Sequence, residues 1–294
     1  MVTDMRLYEL LQRAAGELQA AGIEECVLEA RLLLQSCLGK TRTEIFLLGG
    51  EEVTEEDEIT YLGFIHRRKK REPLAYIIGE QEFWSMPFFV SPDVLIPRPE
   101  TEFLLDRVLS LVSEENLRRG ALLDLCCGSG VIATVLAKET GKMIIASDIS
   151  FAALTVARKN LQRHGKDGQV SLVMADIFSP FLPNRQFSLV VSNPPYVSRH
   201  DLDHSLEPEV AVFEPRLALD GGSRGMEVIV EIRRQIGNYL CPGGQLFMEI
   251  GADQGEATLA LFNGMSKSTT DFARAEILVD YAGRDRVLHA VLAE

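Results

Sequence analysis

Hydrophobic residues follow two different patterns along this chain. In the first quarter they recur every three or four positions, which is typical of helices that bury one face. The stretch Glu24 to Leu38 shows this spacing and is followed by Gly39, a candidate C-cap. A second helix is predicted to begin near Thr54 and to end in the basic run Arg67–Arg71, whose charge suits a helix C-terminus. The pattern predicts a helical domain over residues 1–80.

Short β-type runs replace the helical pattern between Phe83 and Ile96. Pro87 and Pro92 interrupt these runs, as is typical of edge strands and turns. We therefore expect a β-hairpin over residues 81–97 that links the helical domain to the rest of the chain.

Beyond Pro99, strand-like and helix-like runs alternate. This alternation predicts an α/β domain with a doubly wound, mostly parallel sheet over residues 98–294. A short segment around Gly283 separates the last two strand-like runs, so this pair is expected to form an antiparallel hairpin. The candidate strands are Ala121–Leu125, Met143–Ser147, Val170–Met174, Phe187–Ser192, Gln245–Ile250, Glu276–Asp280 and Val287–Leu292.

Length and composition narrow the class of protein. The 294 residues suggest roughly two domains, and 46% hydrophobic with 25% charged residues is typical of a globular protein with a sizeable core. A net charge of −13 argues against a broad electrostatic surface for nucleic acid. No apolar run reaches the roughly 18–20 residues of a membrane span. The five cysteines are odd in number and lack metal-ligand spacing, so we expect a cytoplasmic protein with reduced thiols and no metal site.

A glycine-rich turn follows the first strand of the α/β domain. The chain passes from Leu122–Leu125 into Cys126-Cys127-Gly128-Ser129-Gly130 and then into a helix. Gly128 and Gly130 allow a tight turn and a close approach to a ligand, and the next helix offers free N–H groups. The same residues match the dinucleotide pattern G-x-G-x-x-A, so this turn alone leaves both NAD and S-adenosylmethionine open.

Three acidic residues at strand ends favour S-adenosylmethionine. Asp124 precedes the glycines, where a carboxylate can pair with the amino group of a methionine moiety but would repel a pyrophosphate. Asp148 ends the second strand and can accept both ribose hydroxyls; Asp176 can accept an adenine amino hydrogen while Ile177 packs on the ring. Turn formation is the structural alternative for all three, and Asp148 is also a candidate N-cap, a role that Ser150 could fill instead.

The tetrapeptide Asn193-Pro194-Pro195-Tyr196 follows the buried strand-like run. Its two prolines end the strand and make the turn stiff. The Asn193 side-chain oxygen and the Pro194 carbonyl could then each accept one hydrogen of a planar –NH2 group. Tyr196 is expected to wall the pocket, although packing at the strand end would also explain it. The tetrapeptide predicts methylation of an amide or an exocyclic amine.

With these features in place, the chain resembles the class I S-adenosylmethionine-dependent methyltransferases. More narrowly, it resembles the HemK-like protein-(glutamine-N5) methyltransferases, which modify peptide-chain release factors. The resemblance covers nearly the whole chain, and Ile96–Glu102 is its most specific part. Besides the glycine turn, Asp148 and the tetrapeptide, the motifs are Pro73–Gly79 with Phe83-Trp84, Val94–Glu102, Glu214-Pro215, Ala218-Leu219, Glu249–Gly251 and Gly283–Arg286.

The resemblance implies a helical N-terminal domain that chooses the protein substrate, a hairpin linker, and a seven-stranded sheet of order 3-2-1-4-5-7-6. It implies cofactor contacts on Cys126–Gly130, Asp148, Asp176–Ile177 and Asn193. It also implies that Asn193–Tyr196 hold the glutamine of the release factor's Gly-Gly-Gln loop. One place departs from the family: Cys126-Cys127 stands where the family has Gly-Thr, and cysteine does not readily adopt a positive φ. For both thiols we expect small apolar filling of the turn, not a nucleophilic role.

Three other functions stay open at this point. An adenine amino-methyltransferase acting on DNA or RNA would use the same tetrapeptide on a flipped base, with Arg67–Arg71 as its basic patch. An NAD(P)-dependent oxidoreductase would use the glycine turn but leaves the tetrapeptide unexplained. A binding module without turnover would use the helical domain as a docking surface. The resemblance instead favours an enzyme whose partner is a release factor. We also expect a monomer with no stable binding to nucleic acid and no membrane association.

Overall fold

The computed structural model describes residues 6–47, 53–264 and 272–294. The chain divides into two structural units. The first unit comprises Met1–Glu80 and Glu207–Phe213, and the second comprises Gln81–Leu206 and Glu214–Glu294. The hairpin predicted as a linker thus belongs to the second unit, and a short segment from late in the chain belongs to the first, which the sequence pattern did not indicate.

The first unit is built from helices around one apolar core. Its N-terminal helices are α1 (Leu7–Ala20), α2 (Cys26–Leu38), α3 (Arg42–Leu47), α4 (Glu55–Lys69) and α5 (Leu74–Ile78). α2 ends at Gly39, whose φ of 60° gives the left-handed C-cap that the sequence predicted. α4 begins after Thr54, whose hydroxyl accepts a hydrogen bond from the Asp57 N–H at 3.2 Å. The buried faces of these helices meet in a shared core, which confirms the helical pattern of this region.

Acidic partners neutralise most of the basic run at the end of α4. Arg68 is the most buried member, with 6% of its surface exposed, and it bridges two glutamates. The ion pairs of the run are Arg67–Glu72, Arg68–Glu29, Arg68–Glu209, Lys69–Glu17 and Arg71–Glu209. Four of the five basic residues therefore form ion pairs within the first unit, although only Arg68 is buried and Lys69 and Lys70 are exposed.

The strands β1 (Glu80–Phe83) and β2 (Met86–Phe89) form the predicted hairpin. Trp84 and Ser85 join them, and both have a φ of 54°, the left-handed geometry that a two-residue type I′ turn requires. Phe88 is completely buried in the core of the second unit. Apolar packing thereby fixes the hairpin to the second unit.

A single large sheet organises the second unit. Its strands are β3 (Ala121–Leu125), β4 (Ile144–Asp148), β5 (Val170–Met174), β6 (Phe187–Ser192), β7 (Leu240–Glu249), β8 (Phe272–Val279) and β9 (Asp285–Leu292). They are arranged in the order β5-β4-β3-β6-β7-β9-β8. Neighbours from β5 to β7 are parallel, whereas β9 runs antiparallel to both β7 and β8. This order and the antiparallel final pair confirm the expected doubly wound, seven-stranded sheet.

Helices connect the strands of this sheet. The remaining helices are α6 (Pro99–Leu111), α7 (Asn116–Arg119), α8 (Val131–Thr140), α9 (Phe151–Arg163), α10 (Arg199–His204), α11 (Pro208–Phe213), α12 (Arg216–Leu219), α13 (Glu227–Ile236) and α14 (Gly255–Asn263), of which α11 belongs to the first unit. Among the described residues, none of the helices has the length and apolar character needed to cross a membrane. Leu122 of β3 packs in one apolar cluster and its neighbours Leu123 and Leu125 in another, as strand alternation requires. The parallel strands place the carboxyl ends of β3 to β6 at one edge of the sheet.

Candidate active site

A cavity of about 230 Å³ lies at the carboxyl edge of the sheet. The turn after β3, the ends of β4 and β5, and the segment after β6 line it. The predicted site residues in its wall are Cys126, Cys127, Gly128, Ser129, Asp148, Asp176, Ile177, Asn193 and Pro195. As far as the described residues show, Asp124, Gly130, Pro194 and Tyr196 lie outside this wall. The structure thus brings most of the predicted site together. Asp124, Gly130 and Tyr196 occupy supporting positions, whereas Pro194 lies between the wall residues Asn193 and Pro195.

The backbone of the glycine turn leaves room for a ligand. The Gly128 N–H donates to Asp148 Oδ2 at 2.8 Å, which ties the turn to the end of β4. Gly128 has a φ of 51°, and a Cβ added there would meet no atom within 4 Å. Because Gly128 is part of the cavity wall, a side chain at this position would take up space that a ligand can use.

Gly130 and Asp124 support the turn from behind. A Cβ on Gly130 would lie 3.0 Å from the Ala157 Cβ, so glycine is needed for α8 to approach α9. Asp124 is completely buried, and its Oδ2 accepts a hydrogen bond from the Ala133 N–H at 2.9 Å. Burial raises the pKa of Asp124 to about 8. The carboxylate predicted to meet a methionine amino group instead holds the first turn of α8, because β3 buries it away from the cavity.

Asp148 and Asp176 present carboxylates at the cavity wall. Asp148 Oδ1 accepts from the Ser150 N–H at 2.8 Å, and burial raises the pKa of Asp148 while this bond and the Gly128 N–H oppose the shift. The Ser150 hydroxyl caps α9 by accepting from the Ala153 N–H at 3.1 Å, so Asp148 is free of the capping role. Asp176 is exposed at the end of β5. These two acceptors beside the apolar Ile177 fit the hydroxyl and amino groups of a nucleoside.

The adjacent cysteines complete the turn. Cys126 has a φ of 64°, so it adopts the left-handed conformation for which glycine is better suited. The Cys127 N–H donates to the Ser147 carbonyl at 2.9 Å. Burial raises the pKa of both thiols above the ordinary range, which keeps them protonated and disfavours a nucleophilic role.

The tetrapeptide after β6 is fixed by contacts on three sides. Asn193 reaches the cavity, and its Nδ2 donates to Thr101 Oγ1 at 3.1 Å. The Tyr196 hydroxyl donates to Glu249 Oε1 at 3.1 Å, and its ring packs against an apolar cluster. Gln254 Nε2 donates to the Tyr196 carbonyl at 2.9 Å. The turn therefore holds its shape before any substrate arrives, with Tyr196 as a support.

Sequence reasoning missed two segments of the wall, one around Leu95 and one around Leu217. Arg98 forms an ion pair with Glu214, whose side chain is only 1% exposed, and this pair joins the two segments. Both segments contain motifs of the resemblance, which was the available signal. Because the paired residues are 116 positions apart, no local pattern showed that they meet.

Comparison with known proteins decides the family. The PrmC N-terminal domain model matches residues 9–79, and the methyltransferase small domain model matches residues 100–221. The chain is 39% identical over 285 residues to the release factor glutamine methyltransferase of Geobacter sulfurreducens, covering 95% of this chain and 94% of that protein. It is 37% identical over 284 residues to that of Escherichia coli, covering 96% and 98%. The chain belongs to the release factor glutamine methyltransferase family.

This assignment agrees with the fold and decides the cofactor. A solved methyltransferase from Pyrococcus furiosus has a TM-score of 0.52 to this chain at 15% identity, covering 72% of this chain and 91% of that one, and so shares its fold. Membership in the release factor glutamine methyltransferase family confirms an enzyme that uses S-adenosylmethionine, so the oxidoreductase and the silent binding module are set aside.

Proposed function

We propose that this protein transfers a methyl group from S-adenosylmethionine to the side-chain amide nitrogen, N5, of the glutamine in the Gly-Gly-Gln loop of a peptide-chain release factor. The observation that carries the proposal is the position of Asn193, on a rigid turn in the wall of the nucleoside-type cavity. Relatives that match nearly the full chain carry the name release factor glutamine methyltransferase.

The residues of the wall divide the task between holding the cofactor and holding the amide. Bound S-adenosylmethionine supplies a methyl group on a sulfonium sulfur. The backbone around Gly128 and the carboxylates of Asp148 and Asp176 would hold its nucleoside and methionine parts. Asn193 Oδ1 and the Pro194 carbonyl would each accept one hydrogen of the substrate –NH2, which aims the nitrogen lone pair at the methyl group.

Positioning is the main source of rate acceleration in this mechanism. An amide nitrogen is a weak nucleophile because its lone pair is delocalised into the carbonyl. Two fixed acceptors orient the –NH2 group and favour a more localised lone pair, and such orientation can lower a barrier by several kcal/mol. Transfer would leave S-adenosylhomocysteine as the leaving group, and the methylated nitrogen would give up one proton to water, which restores a neutral amide.

Two observations support a protein substrate over DNA or RNA. The net charge is −13, which disfavours a polyanionic ligand. A nucleic-acid substrate would need the basic run at the end of α4. Most residues of this run instead form ion pairs with glutamates, such as Arg68–Glu29 and Arg71–Glu209. We further propose that the protein is a monomer and acts in the cytoplasm, where release factors act on ribosomes.

Transfer of labelled methyl groups tests this function. The purified protein is incubated with labelled S-adenosylmethionine and release factor, with tRNA, rRNA and DNA in parallel, and peptide mass spectrometry locates the added methyl. We expect label on the Gly-Gly-Gln glutamine. Asn193→Ala should lower turnover at least about 100-fold, because the amide loses its orienting acceptor. Cofactor affinity should change much less.

Asn184→Ala is the matched control, since Asn184 is exposed and lies outside the cavity wall. It should methylate release factor at the wild-type rate. Label on nucleic acid alone would overturn the substrate, and full turnover by Asn193→Ala would overturn the mechanism.

A further inference from the structure

A chain of hydrogen bonds lies behind the Asn193 side chain. Asn193 Nδ2 donates to Thr101 Oγ1 at 3.1 Å, and the Thr101 hydroxyl donates to Glu249 Oε2 at 2.8 Å. The Tyr196 hydroxyl donates to the other carboxylate oxygen, Glu249 Oε1, at 3.1 Å. Thr101 is 3% exposed and Glu249 is completely buried, so water competes little for these groups. These hydrogen bonds connect α6, the turn after β6 and the end of β7.

The donors and acceptors allow one arrangement while Glu249 is ionised. A carboxylate only accepts, so the single hydroxyl hydrogen of Thr101 goes to Glu249. Thr101 then offers Asn193 a lone pair, which only the Asn193 –NH2 group can use. Reversing the amide would place two oxygens against each other and leave an acceptor unpaired. The Asn193 Oδ1 is therefore left for a group in the cavity.

We propose that Thr101 and Glu249 are positioning residues for methyl transfer, which hold the Asn193 amide so that its oxygen meets the substrate –NH2 group. This inference rests on the proposed function, because a substrate amide that donates two hydrogens needs acceptors opposite it. With the Asn193 amide reversed, its own –NH2 would face the substrate –NH2, and two donors would oppose each other. Glu249 is completely buried and acts only through its neighbours, whereas Thr101 also lines the cavity and is assigned its role here through its hydrogen bond to Asn193.

The charge on Glu249 decides in which direction the hydrogen bonds among Glu249, Thr101 and Asn193 are donated. Burial raises the pKa of Glu249 to about 7. The hydroxyls of Thr101 and Tyr196 and the charge of Arg286 on β9 oppose this rise in the pKa. The charge of Glu100 on α6 adds to it. Above this pH the carboxylate accepts. Below it, protonated Glu249 can donate to Thr101, which can then donate to Asn193 Oδ1. We therefore expect kcat to fall as the pH is lowered through this range.

Substitutions at Thr101 separate positioning from packing. Thr101→Val keeps the shape but removes the hydroxyl, whereas Thr101→Ser keeps the hydroxyl. Thr258→Val is the matched control, since Thr258 is a buried threonine of α14 outside the cavity wall. We expect Thr101→Val to lower kcat for release factor by about 30-fold or more, because the substrate meets a misoriented amide. The Kd of Thr101→Val for S-adenosylhomocysteine, measured by calorimetry, should stay within about threefold of the wild-type value. The kcat of Thr101→Ser and that of Thr258→Val should also stay within about threefold of wild type.

Glu249→Gln tests the source of the orientation. Glutamine keeps the shape but can donate to Thr101, so we expect kcat to fall about tenfold or more and to lose its decline at low pH. The inference fails if Thr101→Val turns over at the wild-type rate, if Thr101→Ser is as slow as Thr101→Val, or if Glu249→Gln keeps the wild-type pH profile. Wild-type protein that methylates no release factor glutamine would overturn the proposed function itself.

Discussion

The glycine turn holds Cys126 in a left-handed backbone conformation, although cysteine has a Cβ. The φ of 64° is left-handed, a conformation that costs a residue with a Cβ roughly 1–2 kcal/mol. Cysteine nevertheless adopts it, because the neighbouring Cys127 N–H and the Gly130 N–H are both engaged in backbone hydrogen bonds that fix the turn. Its side chain packs against an apolar cluster while the residue lines the cavity. Cys126 thus keeps a backbone conformation for which glycine is better suited.

Asp124 should make the stability of the ligand-free protein depend on pH. Burial raises its pKa from 3.8 to about 8 in the folded state, and Oδ1 has no hydrogen-bond partner among the described residues. Between about pH 4 and pH 8 the unfolded chain has released this proton while the folded chain keeps it. The stabilising contribution is complete below pH 3.8 and is lost as the pH rises towards 8.

Asp124→Asn removes this titration and keeps an oxygen for the Ala133 N–H. Urea unfolding at pH 5, 6, 7 and 8 should therefore show the variant gaining stability relative to wild type as the pH rises. The limiting slope is about 1.4 kcal/mol per pH unit for one proton. Parallel pH curves for the two proteins would mean that Asp124 is ionised when folded.

The two glycines of the turn between β3 and α8 should respond differently to alanine. Gly128→Ala places a methyl group in open space at the cavity wall, so we expect a loss of cofactor affinity of about tenfold with a small loss of stability. Gly130 has a similar φ of 78°, but the methyl group of Gly130→Ala would lie 3.0 Å from the Ala157 Cβ. Because α8 and α9 would have to move apart, the free energy of unfolding should fall by about 2–4 kcal/mol.

Urea unfolding and calorimetry with S-adenosylhomocysteine distinguish these effects. The expected result is an affinity defect in Gly128→Ala and a stability defect in Gly130→Ala. Equal losses of stability in both variants would show that the left-handed φ alone matters, and that contact between the two helices does not.

Hydrophobic pattern predicted the sheet well because each strand is a short local signal. The runs Ala121–Leu125, Val170–Met174 and Phe187–Ser192 coincide with strands in the structure. β7 is longer than predicted: it begins at Leu240 and not at Gln245, so Pro242-Gly243-Gly244 lies within the strand. The order of the strands came from the resemblance, since alternation by itself fixes a fold class and not an order.

The site was predicted less completely because its contacts span long distances in sequence. Asn193 stood out locally, whereas its partner Thr101 lies 92 positions earlier and Glu249, which holds Thr101, lies 148 positions beyond Thr101. Asp124 was given a ligand contact because a strand end before glycines suggests one. Local sequence does not reveal how deeply a strand buries each of its residues, and this burial removes Asp124 from the cavity.

The path of the chain between the two units gives a further prediction. After Leu206 the chain leaves the second unit, contributes residues 207–213 to the first unit, and returns at Glu214. Within the first unit, Glu209 accepts hydrogen bonds from Arg68 at 3.0 Å and Arg71 at 2.9 Å. The side chain of Glu209 is only 14% exposed and that of Arg68 only 7%, so screening by water is weak and removing Glu209 should cost more than breaking a surface ion pair.

Glu209→Ala should release this segment from the first unit without unfolding the rest of the protein. Arg68 would keep its pair with Glu29, so the loss is confined to the contacts of Glu209. Because local opening becomes easier, we expect thermolysin to cleave within residues 207–213 about tenfold faster than in wild type, as located by mass spectrometry. Glu207→Ala is the matched control, since Glu207 is exposed in the same segment. Equal cleavage of all three proteins would show that backbone and apolar contacts, and not the ion pairs, hold the segment in the first unit.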